Sequence, residues 1–306
     1  MPEGDTLFRS ARALAKVLEG KTVTAFETAY AKLASVNDDR PVLGRVIEKV
    51  EARGKWLLMH FSGDLILVTH MLMSGSWHIY RHDGRTGEKW WLPRRAMRVR
   101  VVVEGFEAVA FNVPVAEFHT AASLVRNSMV EKLGPDILSA LYTGDVGLQA
   151  LQTRAASHPE DEIANVLLNQ RVLAGLGNVY KSEVCFSARV HPFRMMRTLT
   201  VDEMQMMADV SQRYMQANVL DGSGDGIVTY SGSRRTTRNA NRDDRLWVYG
   251  RRGKECRRCG GIVEMRKQGA GARSTYWCPE CQPWVGEGEA VKGWNTPLLR
   301  RTRVSC

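Results

Sequence analysis

Two Cys-x-x-Cys pairs near the C-terminal end, Cys256–Cys259 and Cys278–Cys281, separated by eighteen residues, constrain this chain more than any other feature. Each pair on a tight turn brings two thiolates together, and two such turns close a tetrahedron. The spacing therefore predicts a ribbon built around one structural zinc held by Cys256, Cys259, Cys278 and Cys281. A redox pair or an iron–sulfur cluster is the remaining reading, and no open ligand position or extra neighbouring cysteine favours it. The other two of the six cysteines, Cys185 and Cys306, stand apart. Close pairs of this kind suit a reducing compartment, where metal sites are commoner than disulfides.

Charge is concentrated around the same region. Between Arg234 and Arg273 thirteen Lys or Arg face four Asp or Glu, a surplus of nine in a chain whose formal net charge is +10. A solvated basic arm is the plain reading of that run, and a polyanionic partner is the functional one. Arg273, Ser274 and Tyr276 fall on what the spacing makes the strand entering the second cysteine turn, where a rigid module can present a basic side chain to phosphate. With 306 residues the chain exceeds a comfortable single core, so two or three compact units are expected. No apolar run approaches the roughly 18 residues of a membrane span. The start, Met1-Pro2-Glu3-Gly4-Asp5, is acidic where a secretory signal is basic, and the expectation is a cytoplasmic protein without a membrane partner.

The pattern along the chain is of the α+β class. Asp5 is a candidate N-cap, and Leu7, Ala11, Leu14 and Leu18 recur at helical spacing until Gly20. From Val46 to Phe111 short apolar runs alternate with turns such as Ser62-Gly63-Asp64 and Glu104-Gly105, which predicts an antiparallel sandwich or flattened barrel. Within it Val99, Val101 and Val103 alternate with Arg98 and Arg100, so one face of that strand is expected to be polar. After Gly134-Pro135 the texture turns helical. Thr200 and Glu203 have capping-box spacing, followed by an apolar stripe of Met204, Met207, Ala208, Tyr214 and Met215 that reads as core. Asp221–Arg242 has no periodicity and is expected to be a binding loop.

Two further features bear on chemistry. Gly175-Leu176-Gly177-Asn178 joins two helix-like stretches; alone it is an ordinary helical hairpin, but such a turn can also offer N–H groups and an amide to one phosphate. Pro2 follows Met1, and removal of Met1 leaves a secondary amine beside the Glu3 carboxylate. An α-amino group of ordinary pKa near 8 is about one-tenth neutral, and nucleophilic, at neutral pH.

Taken in order, these features resemble the formamidopyrimidine-DNA glycosylase and endonuclease VIII family along nearly all of residues 1–282. The resemblance rests on the Pro2-Glu3-Gly4 start, the turn lysine of Arg53-Gly54-Lys55, Gly175-Leu-Gly-Asn178, and Arg273-Ser-Thr-Tyr-Trp-Cys278-Pro-Glu-Cys281-Gln282. It implies an N-terminal β-sandwich catalytic domain with a flanking helix (1–125), a helix-two-turns-helix DNA-binding domain (126–245) and a zinc finger (246–282), with a tail of unknown role (283–306). It also implies a monomeric DNA glycosylase and abasic-site lyase acting on damaged double-stranded DNA, with single-stranded or bubble DNA as further substrates. In that role Pro2 is the nucleophile, Glu3 the acid and base, Lys55 the active-site lysine, Asn178 and Arg273 the phosphate ligands, with Arg273 also counted among the catalytic residues, and Met73 the filler of the gap left by the extruded base. From the residues alone Lys55 is a solvated hairpin lysine and Met73 a strand-end core methionine.

Three departures stand against the family pattern. Asn112-Val-Pro-Val-Ala-Glu117-Phe118 replaces the Asp-Pro-Arg-Arg-Phe-Gly run of members that prefer oxidised purines, and with the Tyr276-Trp-Cys-Pro279 spelling this favours the endonuclease VIII branch and oxidised pyrimidines. Met73-Ser-Gly75 points the other way. The stretch between Cys259 and Cys278 is longer than usual, and Arg300, Arg301 and Arg303 extend past the expected end. The alternative from another class is a non-catalytic zinc-ribbon DNA-binding protein that keeps the fold; the intact Pro2, Glu3 and Lys55 speak against it.

Overall fold

The computed structural model describes residues 2–82, 90–126, 128–220, 227–230 and 245–285. Of the expected loop Asp221–Arg242 only residues 227–230 fall within that range. Arg234 at the start of the basic segment, Met1, Cys306 and the tail arginines lie outside the described residues. In chain order the elements are α1 (Gly4–Leu18), β1 (Val23–Thr28), α2 (Ala31–Asp39), β2 (Ile47–Arg53), β3 (Trp56–Phe61), β4 (Leu65–His70), β5 (Ser76–Arg81), β6 (Met97–Val103), β7 (Phe106–Phe111), β8 (Val115–His119), α3 (Ala121–Arg126), α4 (Ser128–Glu131), α5 (Gly144–Ser157), α6 (Ile163–Leu168), α7 (Asn178–Ser187), α8 (Val201–Leu220), β9 (Glu264–Gln268) and β10 (Arg273–Trp277). The chain is of mixed α+β type and divides into two units, the first of Met1–Thr143, Asn169–Gly177 and Gln212–Gly226, the second of Gly144–Leu168, Asn178–Ser211 and Ile227–Cys306. Among the described residues no helix is long and apolar enough to cross a membrane.

The first unit holds two four-stranded sheets, ordered β1-β6-β7-β5 and β2-β3-β4-β8, with every pairing antiparallel. One shared core joins them: Leu7, Leu14 and Leu18 of α1, Leu57, Met59 and Leu67 of one sheet, and Val99, Val101, Val103, Ala108 and Ala110 of the other. Period-2 alternation sends these side chains inward. The opposite face of β3 and β4 is also covered, because Trp56, Leu58, Ile66 and Val68 pack with Leu124 of α3 and Val130 of α4. Burial on both faces is why each of these two strands opens on four consecutive apolar residues, Trp56–Met59 and Leu65–Val68.

The expected polar face of β6 differs from a solvated one. Arg100 is buried, its Nε bonded to Glu107 Oε2 at 2.7 Å and its Nη1 to Glu27 Oε1 at 2.6 Å. Trp90 Nε1 donates to the other Glu107 oxygen at 2.6 Å. An arginine fork can be buried where carboxylates on the flanking strands satisfy it, and those partners are invisible in the local sequence.

In the second unit the α8 capping box forms in both directions: Thr200 N–H donates to Glu203 Oε2 at 2.9 Å, and Glu203 N–H to Thr200 Oγ1 at 3.2 Å. The Met204, Met207 and Ala208 part of its stripe is buried here, and the Tyr214 and Met215 part is buried in the first unit. The β9–β10 hairpin packs on α7 through Tyr276 N–H to Ser182 Oγ (3.3 Å), with Phe186, Val248 and Val263 filling the space behind the cysteines.

Candidate active site

Pro2 precedes a carboxylate with no exposed surface. Glu3 occupies the cap position of α1, its carbonyl accepting the N–H groups of Thr6 and Leu7 at 3.0 and 3.2 Å, yet its side chain makes no cap hydrogen bond. It is turned towards the glycine segment instead, where a Cβ on Gly177 would lie 2.6 Å from Glu3 Oε1. Asp5, expected as the N-cap, lies one residue inside the helix and is buried, with Arg9 Nη2 at 3.4 Å from Oδ2. The expectation failed because the helix starts at Gly4, whose N–H is bonded to Gly175 O at 2.9 Å, a contact from a distant segment. Gly4 and Gly175 meet so closely that a Cβ on the former would stand 2.7 Å from the Cα of the latter. Gly175 also has φ +109°, a conformation L side chains rarely adopt. Gln170 braces the turn, accepting from Gly175 N–H and donating to Leu176 O, both at 2.9 Å. In the first unit the two glycines thus serve close approach to the N-terminal residues.

Lys55 lies in the two-residue turn between β2 and β3. Gly54 supplies the positive φ (+58°) that the turn requires, and its N–H donates to Asp136 Oδ2 at 2.7 Å. A Cβ on Gly54 would sit 3.1 Å from Ala174 Cβ, so the lysine turn rests on the same 174–177 segment that faces Glu3. His70, at the end of β4, has its pKa lowered to about 4, first by burial and then by the charge of Lys55. The imidazole is therefore neutral near pH 7, and its Nδ1 accepts the Leu72 N–H at 3.0 Å, which leaves the proton on Nε2.

That bond starts the turn carrying Met73. Gly75 N–H closes it onto Met71 O at 2.8 Å, and Ser74 Oγ bonds Asn112 O at 3.3 Å. Met73 is 67% exposed and Leu72, at φ +45°, is 48% exposed, whereas Met71 is 2% exposed. Met73 is thus a projecting tip and not a core methionine.

In the second unit Asn178 is the first residue of α7, 7% exposed, its Nδ2 donating to Tyr249 Oη at 3.3 Å and its buried Oδ1 without a hydrogen-bond partner among the described residues. Tyr249 packs edge-on to Tyr276 of β10, with ring centroids 4.9 Å apart. Arg273 opens β10 opposite Gln268 and is exposed. One turn into α7 the buried Glu183 receives four donors: Trp247 N–H at 2.8 Å, Val248 N–H at 3.0 Å, Tyr249 N–H at 2.8 Å, and the Thr229 hydroxyl. Asp136, Glu183, His70 and Tyr249 carry no motif of their own and were not singled out as site residues from the sequence.

The four expected zinc ligands converge. All four Sγ atoms lie within 4.8 Å of one another, with Cys256–Cys281 at 3.8 Å and Cys259–Cys278 at 3.5 Å. A tetrahedral zinc with Zn–S bonds of about 2.3 Å needs sulfurs about 3.8 Å apart. Backbone N–H groups of Arg258 and Gly261 point at the sulfurs of Cys256 and Cys259, at 3.5 and 3.4 Å, as thiolates require. The residues fit one structural zinc. Cys185 is outside the cluster, and burial pushes its thiol up to about 12.

Comparison with known proteins matches three stretches of the chain. Residues 1–114 match the family model described as "Formamidopyrimidine-DNA glycosylase N-terminal domain", residues 133–229 the "Formamidopyrimidine-DNA glycosylase H2TH domain", and residues 253–283 the "Zinc finger found in FPG and IleRS". The chain is 35% identical over 286 residues to the "Probable endonuclease 8 2" of Streptomyces coelicolor, covering 92% of this chain and 94% of that one. It is 34% identical over 282 residues to the "DNA-(apurinic or apyrimidinic site) lyase Nei2" of Mycolicibacterium smegmatis, covering 92% and 99%. The Lactococcus lactis formamidopyrimidine-DNA glycosylase, solved non-covalently bound to abasic-site DNA, shares the fold with a TM-score of 0.73 at 21% identity, covering 92% of this chain and all of that one.

Proposed function

Since this chain belongs to the formamidopyrimidine-DNA glycosylase and endonuclease VIII family of DNA glycosylases and abasic-site lyases, we propose that its chemistry runs through the amine of Pro2 on damaged double-stranded DNA. The observation that carries this reading is the N-terminus itself: Glu3 is wholly buried against Gly177, and Gly4 is fixed to Gly175.

With Met1 removed, the Pro2 nitrogen attacks C1′ of the damaged nucleotide as the base departs. Glu3 protonates the ring oxygen as the sugar opens. Because the amine is secondary, the product is an iminium, cationic without an added proton, and this acidifies the C2′ hydrogen. Successive β- and δ-eliminations then cut the strand, and the zinc takes no part in them; it supplies the ribbon's shape. Lys55 adds a cation at the reacting sugar. Asn178 and Arg273 grip the phosphates around the lesion, and Arg273 counts among the catalytic residues through that contact. Exposed Met73 enters the stack where the base has left, offsetting a flipping cost of a few kcal/mol. The Asn112–Phe118 stretch, with the Gly175-Leu-Gly-Asn178 and Tyr276-Trp-Cys-Pro279 spellings, supports oxidised pyrimidines as the preferred bases, against Met73-Ser-Gly75; single-stranded and bubble DNA are further substrates in this reading. The enzyme acts as a monomer whose domains are 1–125, 126–245 and 246–282.

Borohydride trapping tests this. Protein starting at Pro2 forms a covalent adduct with duplex DNA holding an abasic site, whereas protein that keeps Met1 forms none. Trapping at full rate by the blocked protein would move the nucleophile to a lysine and overturn the mechanism.

A further inference from the structure

Between the lysine turn and the glycine segment sits one acidic side chain that the reaction does not use. Asp136 is largely buried, and each of its oxygens accepts one backbone N–H: Oδ2 that of Gly54 at 2.7 Å, Oδ1 that of Leu138 at 3.0 Å. The backbone around it is tied to the other side of the site. Ala174 N–H bonds Pro135 O at 2.9 Å, and Ile137 N–H bonds Ala174 O at 3.2 Å, making a parallel bridge that brackets Asp136. Three residues on, Gly177 meets Glu3, and the intervening Gly175 receives the Gly4 N–H. The carboxylate therefore lies where the turn holding Lys55 and the segment under Glu3 are joined.

Burial raises the Asp136 carboxyl, and the two N–H bonds oppose that rise. An apolar contact could anchor a loop without that desolvation cost; what a carboxylate adds is direction, because each oxygen fixes one N–H vector. Gly54 is bonded through its own amide and lies next to Lys55 in the chain, so a change in that bond rotates the turn from which the lysine projects.

We propose that Asp136 is a positioning residue for Lys55, holding the Gly54–Lys55 turn in register with Pro2 and Glu3 through the Gly54 amide. The inference rests on the reading of Lys55 as the active-site lysine.

The test is single-turnover cleavage of a preformed abasic site by protein starting at Pro2, comparing wild type, Asp136→Asn, Lys55→Ala and the double variant. Asparagine can accept only one of the two N–H groups and turns its NH2 against the other. Asp136→Asn is expected to slow cleavage about tenfold or more, as misplacement of an active-site group by a fraction of an ångström does. Affinity for DNA with an uncleavable abasic analogue stays unchanged, and the double variant is no slower than Lys55→Ala alone. A general structural role would instead lower affinity and melting temperature and would add its loss to that of Lys55→Ala. An Asp136→Asn rate equal to wild type, or an equal loss in both backgrounds, overturns the proposal. A fully active Lys55→Ala protein overturns the reading of Lys55 beneath it and is recognisable as such. Where Asp136→Asn does not fold, Asp136→Glu, which keeps the acceptor but displaces it by a methylene, carries the same comparison with the same two outcomes.

Discussion

Glu3 and Gly177 are a matched pair: the carboxylate occupies the space a side chain at 177 would need. A Cβ at 177 would stand 2.6 Å from Glu3 Oε1 and closer still to Glu3 Cδ, so Gly177→Ala must displace the acid, and it is expected to copy part of the defect of Glu3→Gln. That defect should be uneven. Opening the sugar during excision needs a proton, while a preformed abasic sugar opens to its aldehyde spontaneously. Glu3→Gln is therefore expected to slow excision of an oxidised pyrimidine by about a hundredfold or more, the usual worth of a general acid, while strand cleavage at an abasic site changes little. Parallel gel assays of the two substrates check this, and equal losses would deny Glu3 the role of acid. His70 adds a pH dependence. Its pKa is 6.5 in the unfolded chain and about 4 here, lowered by burial and by Lys55. As pH falls through that window the unfolded state takes up the proton first, so stability is full above about 6.5 and declines towards 4. His70→Gln keeps an acceptor for Leu72 N–H and cannot titrate. Melting temperatures measured from pH 7 to pH 4 should therefore fall less steeply in the variant, and identical slopes would place the histidine in water.

At the scale of elements, α7 organises the second unit. Its Glu183 binds residues 247–249 through three consecutive amides and Thr229 through its hydroxyl, while Tyr249 in turn meets Asn178 at the start of the same helix. Glu183→Gln leaves donors facing an NH2 group. It is expected to destabilise the protein by about 3 kcal/mol in urea melts, the scale of lost charge-assisted bonds, and to weaken DNA binding without regard to the damaged base. Unchanged affinity would separate Asn178 from the phosphate site. Elements of this kind mark the limit of what the sequence conveys. The β3 and β4 runs, the Thr200–Glu203 box and the cysteine turns are local patterns and were legible. Pro2, Glu3, Lys55, Asn178 and Arg273 stand out as candidates because they sit in motifs. Asp136 and Glu183 take their meaning from amides 82 and 64–66 residues away, and the burial of Arg100 depends on Glu27 at a separation of 73. The misplaced helix start has the same origin, since Gly175, not Asp5, fixes the N-terminus.

For the whole molecule, the decisive contrast lies between the supports of its two ends. The sandwich rests on a large shared core drawn from two sheets and α1. Among the described residues, the buried cluster behind the ribbon is Phe186, Val248, Cys256, Val263 and Cys278, with Trp247, Tyr276 and Cys281 packed on it half-buried, and two of the five buried residues are zinc ligands. So small a core cannot offset the ordering entropy of the ribbon, and the metal must supply the difference. Removing zinc, by a strong chelator or by Cys278→Ser, is then expected to unfold β9 and β10 while the sandwich keeps its cooperative melt. DNA affinity should fall at the same time, because Arg273 opens β10 and Tyr276, on the same strand, packs against Tyr249. The salt dependence reports the cause. If the loss is mainly of Arg273, the slope of log K against log salt drops by about one for that contact in both the zinc-free protein and Arg273→Ala. The basic surplus between Arg234 and Arg273 allows a larger drop on zinc loss, as further cations of the segment lose their placement. Full affinity in the zinc-free protein would show that the ribbon is not part of the DNA-binding surface, and a sandwich that melted with the metal would show that its own core is insufficient.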